Sequence, residues 1–210
     1  MNTQRKISPG KPADVGDFLL ERRLRLLRKY IPNLAKLDRV LDYGCGNGAQ
    51  TLLIAELANH IDALEISPEH YTMAVENLRG IKNIKTHLYD GDKIPFEDNS
   101  FDLIYSFEVL EHTQDERKSL IEIHRVLKPG APLLMTVPNK WWIFETHGAN
   151  LPYLKWNRVP FFSWLPKSLH SRWSRARIYT KSEISKLLKD TGFRIEHLGY
   201  VMAPMDALKL

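Results

Sequence analysis

The sequence is poor in cysteine and has no long hydrophobic run. Its 210 residues include one cysteine, Cys45, so an internal disulfide is excluded and a reducing cytoplasm is expected. No stretch reaches the roughly 18 to 20 apolar residues that a membrane span needs. Residues 1–12 are basic but lack the apolar segment of a secretory signal. We therefore expect a cytoplasmic protein of one domain, residues 1–210, in which 43% hydrophobic residues suffice for a core.

Acidic residues are scarce in two basic segments of the chain. Residues 1–30 hold eight Lys and Arg against three acids, and residues 139–180 hold seven against Glu145 alone. This uneven charge suits an anionic partner: a phosphate-bearing substrate, a membrane surface or a nucleic acid. An ordinary solvated surface explains it equally well.

Short apolar runs alternate with helical patterns. The expected strands are Val40–Tyr43, Ile61–Ile66, Ile84–Tyr89, Phe101–Phe107 and Leu133–Val137, with a last strand at Phe193–Val201. The expected helices lie at 13–31, 49–59, 68–79, 114–127 and, after a capping box at Thr180–Glu183, up to Asp190. This order predicts an α/β fold, Rossmann-like, with a mostly parallel sheet and helices on both faces.

A glycine-rich loop follows the first expected strand and precedes a helix. It reads Asp42-Tyr43-Gly44-Cys45-Gly46-Asn47-Gly48. Glycines let the backbone approach a ligand closely, and the helix N-terminus offers unpaired N–H groups. A dinucleotide fingerprint is G-x-G-x-x-G, whereas this loop reads D-x-G-x-G-x-G. The acid in it would repel a pyrophosphate but suits a ligand that carries an ammonium group and a sulfonium.

A second acid, Glu65, ends the next strand, 21 residues after Gly44. A carboxylate in this place can accept hydrogen bonds from both hydroxyls of an adenosine ribose. Dinucleotides and adenosyl sulfonium compounds share that ribose. Glu65 therefore indicates a nucleoside without choosing between the two.

Several motifs, taken in their order along the chain, resemble those of class I methyltransferases that depend on S-adenosylmethionine (SAM). The resemblance is to the branch of this family that is similar to the enzymes of ubiquinone and menaquinone biosynthesis. They are Leu41–Gly48 (LDYGCGNG), Asp90–Phe96 (DGDKIPF), Asn99–Ile104 (NSFDLI), Glu108–His112 (EVLEH) and Arg125–Gly130 (RVLKPG). The likeness covers about 39–138 and resumes at 180–201. The family's sheet usually ends in a hairpin made by a seventh strand, for which only Ala203–Leu210 is left here.

The resemblance implies that SAM is the cofactor, and it implies a site residue by residue. The methionine end would lie on Asp42 and on the loop of Gly44, Cys45, Gly46 and Gly48, and the ribose on Glu65. The adenine would meet Ile66, Asp90, Gly91 and Asp92, and Phe107 would line the sulfonium end. Cys45 fills a tight turn in this interpretation and is not a nucleophile.

His112 is the candidate general base, because it follows the carboxyl end of a strand, where ligands gather in open α/β sheets. A base is useful only for a hydroxyl or acidic-carbon acceptor, and a histidine that orients a loop is the equally weighted alternative. Glu108, Glu111 and His112 would share one helical face and could hold a divalent cation. We expect no metal, since many relatives of this fold carry such residues without one.

Residues 139–179, which we call the insertion, contain all five tryptophans and ten aromatic residues. The insertion is expected to form the wall and lid of the acceptor site, with Trp142, His147 and Tyr179 as acceptor contacts. Mixed Trp and Lys/Arg suits a bilayer interface, stacked bases or the protein's own packing. Short segments broken by proline, such as 159–166, favour the interface over the bases.

The sequence thus predicts an enzyme, a SAM-dependent methyltransferase for a small-molecule or lipid-linked acceptor, with contacts to the inner face of a membrane. An RNA methyltransferase is the alternative that the pI near 9.2 favours, although no appended RNA-binding module is recognisable. A nicotinamide oxidoreductase is disfavoured by the loop spacing, and a silent SAM-binding subunit stays open. Oligomeric state is not indicated.

Overall fold

The computed structural model describes residues 10, 12–13, 17–31, 33, 37–145, 149–150, 155–156, 159–174 and 176–201. Within these ranges, none of the helices combines the length and the apolar character needed to cross a bilayer.

A parallel sheet of five strands forms the centre of the domain. Its strands are β1 (Arg39–Tyr43), β2 (His60–Glu65), β3 (Ile84–Leu88), β4 (Leu103–Phe107) and β5 (Leu133–Thr136). They lie in the order β3-β2-β1-β4-β5, and every pair is parallel. The chain reverses its direction of winding at β1, so the crevice between the ends of β1 and β4 is where a ligand is expected. The predicted Rossmann-like fold is confirmed.

Helices cover both faces of the sheet. They are α1 (Phe18–Tyr30), α2 (Ala49–Ile54), α3 (Pro68–Asn77), α4 (Glu116–Val126), α5 (Lys167–Trp173) and α6 (Lys181–Asp190). On one face, Leu24 and Leu27 of α1 and Ile54 of α2 pack on alternate residues of β1, β2 and β4. On the other face, α4 and α6 pack on the remaining alternate residues. Strands buried on both sides are typical of a parallel sheet in an α/β protein.

The helix ends follow the signals in the sequence. Asp17 and Asp115 cap α1 and α4 through their carboxylates. The capping box that was predicted at Thr180 and Glu183 is confirmed, since each side chain bonds the backbone of the other residue. These caps fix where α1 and α4 begin, and both beginnings lie close to the carboxyl edge of the sheet, where residues of α1 and of the segment before α4 line a cleft.

The insertion contains two short antiparallel ladders. In chain order its strands are β6 (Phe144–Glu145), β7 (Ala149–Asn150), β8 (Lys155–Trp156) and β9 (Val159–Pro160), with β6 on β9 and β7 on β8. One turn of 3₁₀ helix at Phe162–Trp164 and then α5 lead back toward the sheet.

The predicted strand at Phe193–Val201 is wrong. This segment is irregular, and Phe193 packs edge-on against His124 of α4, with ring centroids 5.1 Å apart. Phe193 and Ile195 are half-buried and Arg194 is exposed, which explains the apparent alternation. A strand also needs a hydrogen-bonded neighbour, and none lies beside this segment among the described residues. Ala203–Leu210, the segment considered for a seventh strand, lies outside the described ranges.

Candidate functional site

The glycine loop leaves β1 at the carboxyl edge of the sheet and turns sharply into α2. Gly44, Gly46 and Gly48 have φ of +82°, +58° and +80°, which residues with a Cβ rarely adopt. A Cβ at Gly44 would lie 2.5 Å from Cγ2 of Val109, and one at Gly48 would lie 2.9 Å from Leu78. Glycine is therefore required both by conformation and by close packing, and the backbone of the loop is open to the cleft beside it.

Asp42, the acid of the loop motif, lies buried at the floor of this cleft. Its carboxylate accepts a hydrogen bond of 2.6 Å from the Thr51 hydroxyl. Burial raises the pKa of Asp42 to about 6, against the opposing effect of the Thr51 bond. The charged form of a carboxylate that is removed from water in this way is stabilised by a cationic ligand group placed against it.

Glu65, at the end of β2, is also buried and faces the same loop. Its carboxylate accepts hydrogen bonds from the backbone amides of Gly46, Ile66 and Ser67, at 2.8, 2.9 and 2.8 Å. These bonds hold the side chain at the edge of the cleft. A carboxylate has about four lone-pair sites, so Glu65 can still accept a hydrogen bond from a ligand. It can accept a second one if the Gly46 amide turns away from it toward the ligand.

The cleft brings together most of the predicted site residues. Those that line it are Asp42, Gly44, Cys45, Gly46, Glu65, Ile66, Gly91, Phe107 and His112. Gly48 lies behind the loop as the N-cap of α2. Asp90 and Asp92 are not in the lining, and Asp90 accepts a bond from the Asp92 amide. Burial raises the pKa of the Cys45 thiol, which agrees with a residue that fills a turn.

The cleft also holds polar residues that were not singled out from the sequence, among them Arg23 and Gln50. Arg23 of α1 lies with its guanidinium 5.5 Å from the ring centre of Phe107. Gln50, in the first turn of α2, is 6% exposed, and neither atom of its side-chain amide has a hydrogen-bond partner among the described residues. Buried amides are rarely left unpaired, so Gln50 indicates a ligand. The only signal for Arg23 was its place beside the apolar stripe of α1, three residues after Leu20 and four before Leu27.

The sequence profile of a family described as "Methyltransferase domain" matches residues 41–135. Residues 41–135 are therefore similar to methyltransferase domains. A demethylmenaquinone methyltransferase of Tropheryma whipplei (strain Twist) is 35% identical over 98 residues, which are 47% of this chain and 41% of that protein. A protein of Mycolicibacterium smegmatis named as a probable S-adenosylmethionine-dependent methyltransferase is 29% identical over 175 residues, 80% of this chain and 58% of its own.

Among solved structures, a SAM-dependent methyltransferase from Mesorhizobium loti is similar with a TM-score of 0.63 and 21% identity, over 85% of this chain and 84% of that one. At this identity the likeness shows the fold. The chain spans well under two thirds of the length of both curated relatives named above.

The segment after β4 lies on the other side of the cleft. His112 lines the cleft, with Nε2 3.8 Å from Oε1 of the fully buried Glu111. Gly10 covers the His112 ring, since a Cβ on it would come 2.9 Å from Nε2. Glu108 lies outside the 3₁₀ turn Leu110–His112, with a left-handed φ of +59°. In the part of the chain that the structure describes, no three His, Cys, Asp or Glu side chains group as metal ligands.

The three predicted acceptor contacts lie away from this cleft or outside the described residues. Trp142 is half-buried and is not in the lining. Tyr179 is buried in the core, and its hydroxyl donates a 3.1 Å bond to Glu116. Burial, with the nearby acids Glu116 and Glu111, raises the pKa of Tyr179. His147 lies outside the described residues, so the role of all three stays a prediction.

Proposed function

We propose that this protein transfers a methyl group from SAM to a small-molecule acceptor, and that the acceptor is linked to a lipid. One observation carries the first part: in a methyltransferase domain, two buried carboxylates, Asp42 and Glu65, flank a glycine loop whose conformation brings bare backbone to the cleft. The residues fit an adenosyl sulfonium compound with an amino-acid end, since they offer acceptors for its ribose and ammonium groups.

The chain's own residues would hold this cofactor at its two ends. Glu65 accepts from the ribose hydroxyls, and its bonds to Ile66 and Ser67 keep it oriented. Asp42 faces the ammonium group. Arg23 and the unpaired amide of Gln50 provide donors for the carboxylate of the same amino acid, and charge-assisted bonds of this kind are the strong ones.

When bound, SAM supplies an electrophilic methyl group on its sulfonium, so that the protein needs no nucleophile. The domain's part is to align the acceptor, which can contribute on the order of 7 to 11 kcal/mol through proximity. Phe107 and Val109 line the cleft and exclude water from it. His112 takes up a proton at a ring nitrogen where the acceptor atom is a hydroxyl or an acidic carbon.

Recognition of the amino-acid end is tested with two ligands that differ only there. We expect Arg23→Leu to weaken binding of S-adenosylhomocysteine about tenfold and to leave 5′-methylthioadenosine, which lacks the amino acid, within about twofold of the wild type. Isothermal titration calorimetry measures both. Arg25→Leu, on the exposed side of α1, is the matched control. If wild-type protein bound neither ligand, the proposed function would be wrong; equal losses for both ligands would remove the role of Arg23.

Two observations support a lipid-linked acceptor. Relatives are named for the methylation of small molecules, among them demethylmenaquinone. In the insertion, Trp141, Phe161, Trp164 and Leu169 are exposed, and Phe161 and Trp164 stack edge-on with ring centroids 4.9 Å apart. Exposed aromatic residues beside Lys and Arg are typical of proteins at a membrane interface.

A flotation assay tests the membrane contact. Wild-type protein is expected to float with vesicles that contain anionic lipid, and Phe161→Ser with Trp164→Ser to reduce the bound fraction at least about tenfold, because two large apolar side chains leave the interface. The matched control is Met73→Ser with Val75→Ser, which removes two exposed apolar side chains of α3. Absence of wild-type binding, or equal loss in both variants, contradicts a membrane-facing insertion and leaves SAM binding unaffected.

A further inference from the structure

The segment after β4, residues 108–114, forms one wall of the cleft, and we call it the acceptor loop. Glu108, Val109, His112, Thr113 and Gln114 all line the cleft. Within the loop, the His112 amide donates to the Val109 carbonyl at 2.9 Å, and both the amide and the hydroxyl of Thr113 donate to the Leu110 carbonyl, at 3.2 and 2.9 Å. One turn of 3₁₀ helix is weak by itself, so contacts from other segments of the chain add to the order of the acceptor loop.

Arg177, at the end of the insertion, supplies such contacts. Its guanidinium donates to the Thr113 carbonyl at 2.5 Å and to the Gln114 carbonyl at 3.0 Å. Its backbone amide donates to the Glu111 carbonyl at 3.3 Å. One residue thus bonds three carbonyls of the acceptor loop, on both sides of His112.

The same guanidinium is anchored on the helix that follows the loop. Its Nε lies 3.1 Å from Oε2 of Glu116, the first residue of α4. The Tyr179 hydroxyl donates to that same oxygen, also at 3.1 Å. The side chain of Arg177 is 22% exposed, so these bonds are largely shielded from water and persist in salt.

The two ends of the insertion meet at this point. The Tyr179 amide donates to the Pro138 carbonyl at 3.0 Å, and the Lys140 amide donates to the Tyr179 carbonyl at 2.9 Å. The entry and the exit of the insertion are therefore joined by backbone bonds, two residues from the guanidinium that holds the acceptor loop. A displacement of the insertion moves Arg177, and with it the loop carbonyls.

We infer that Arg177 is a positioning residue, which fixes the acceptor loop to the joined ends of the insertion and so sets the orientation of His112 in the cleft. The inference rests on the proposed function in one respect, that this wall of the cleft faces the acceptor. The planar fork of arginine is required, because an ammonium group cannot bond two carbonyls and a carboxylate in this fixed geometry.

Amide hydrogen exchange of Arg177→Lys tests the inference. We expect exchange at His112 and Thr113 to accelerate at least about tenfold, while the amides of β1 and β2 keep their wild-type rates. A residue with only a general structural role would instead lower the midpoint of thermal unfolding and accelerate exchange across the sheet. Arg117→Lys is the matched control, since Arg117, in the first turn of α4, likewise donates to a carbonyl, that of Asp190, but away from the cleft.

A second variant keeps the test decisive where Arg177→Lys folds poorly. Glu116→Gln removes the charge that anchors the guanidinium and is expected to give the same local acceleration. Unchanged exchange at His112 in both folded variants, or acceleration equal to that of Arg117→Lys, overturns the inference. The affinity of both variants for S-adenosylhomocysteine, measured in parallel, is expected to stay within about threefold of the wild type. If the wild-type protein does not bind this ligand, the proposed function is wrong. The exchange result decides the role of Arg177 in either case.

Discussion

Glu65→Gln is expected to weaken S-adenosylhomocysteine binding about 100-fold, which corresponds to about 2.8 kcal/mol. The carboxylate accepts bonds from the amides of Gly46, Ile66 and Ser67. Glutamine keeps one acceptor oxygen but places an NH₂ group opposite a backbone N–H donor. Two donors then face each other, and the hydrogen bond is replaced by a repulsive contact. The variant also loses the charge that strengthens bonds to the ribose hydroxyls, and bonds to charged groups contribute about 1.5 to 3 kcal/mol.

Calorimetric titration measures this loss, and Glu69→Gln is the control. Glu69 lies on the first turn of α3, four residues away, and is exposed. Its replacement removes the same charge from the same end of the sheet and is expected to change the affinity less than twofold. A Glu65→Gln protein that is folded and binds as tightly as the control would show that Glu65 is a structural residue of the glycine loop and does not contact the ligand.

Gly44→Ala is expected to lower the free energy of unfolding by about 3 to 4 kcal/mol. A left-handed conformation costs a residue with a Cβ about 1 to 2 kcal/mol, and Gly44 has φ +82°. The added methyl group would also lie 2.5 Å from Cγ2 and 2.6 Å from Cγ1 of Val109. Overpacking of this kind costs a further 1 to 3 kcal/mol, approximately. Chemical denaturation with urea measures the sum.

Gly80→Ala separates the two contributions. Gly80 has nearly the same φ, +84°, and a Cβ there meets nothing within 4 Å, so this variant is expected to lose only about 1 kcal/mol. Because the steric part depends on Val109, Val109→Ala combined with Gly44→Ala should be more stable than the sum of the single variants predicts. Equal losses in Gly44→Ala and Gly80→Ala would show that the glycine loop moves away from Val109 without cost.

The sequence by itself determined the order of the elements and the place of two acids of the cleft, Asp42 and Glu65. Five strands are found where apolar runs alternate with helical patterns, and the capping box at Thr180 is where the motif predicts it. Asp42 and Glu65 could be predicted because each lies in the last two residues of a strand, and parallel strands bring their carboxyl ends to one edge. Such local patterns predict the structure well, since they depend on the burial and the backbone conformation of single segments.

The tertiary structure decided what depends on contacts between distant segments. Arg23, Gln50 and Arg177 carry no local motif. Arg23 and Gln50 line the cleft, and Arg177 bonds the loop that forms one of its walls, because α1, α2 and the end of the insertion meet at one edge of the sheet. The false strand at Phe193–Val201 has the same origin, because a pattern of alternating burial can arise from packing on a helix. The Tyr179 hydroxyl donates a hydrogen bond to Glu116, and Tyr179 does not line the cleft. Side-chain partners across more than 60 residues are fixed by the packing of whole elements, which the spacing of residues along the chain does not encode.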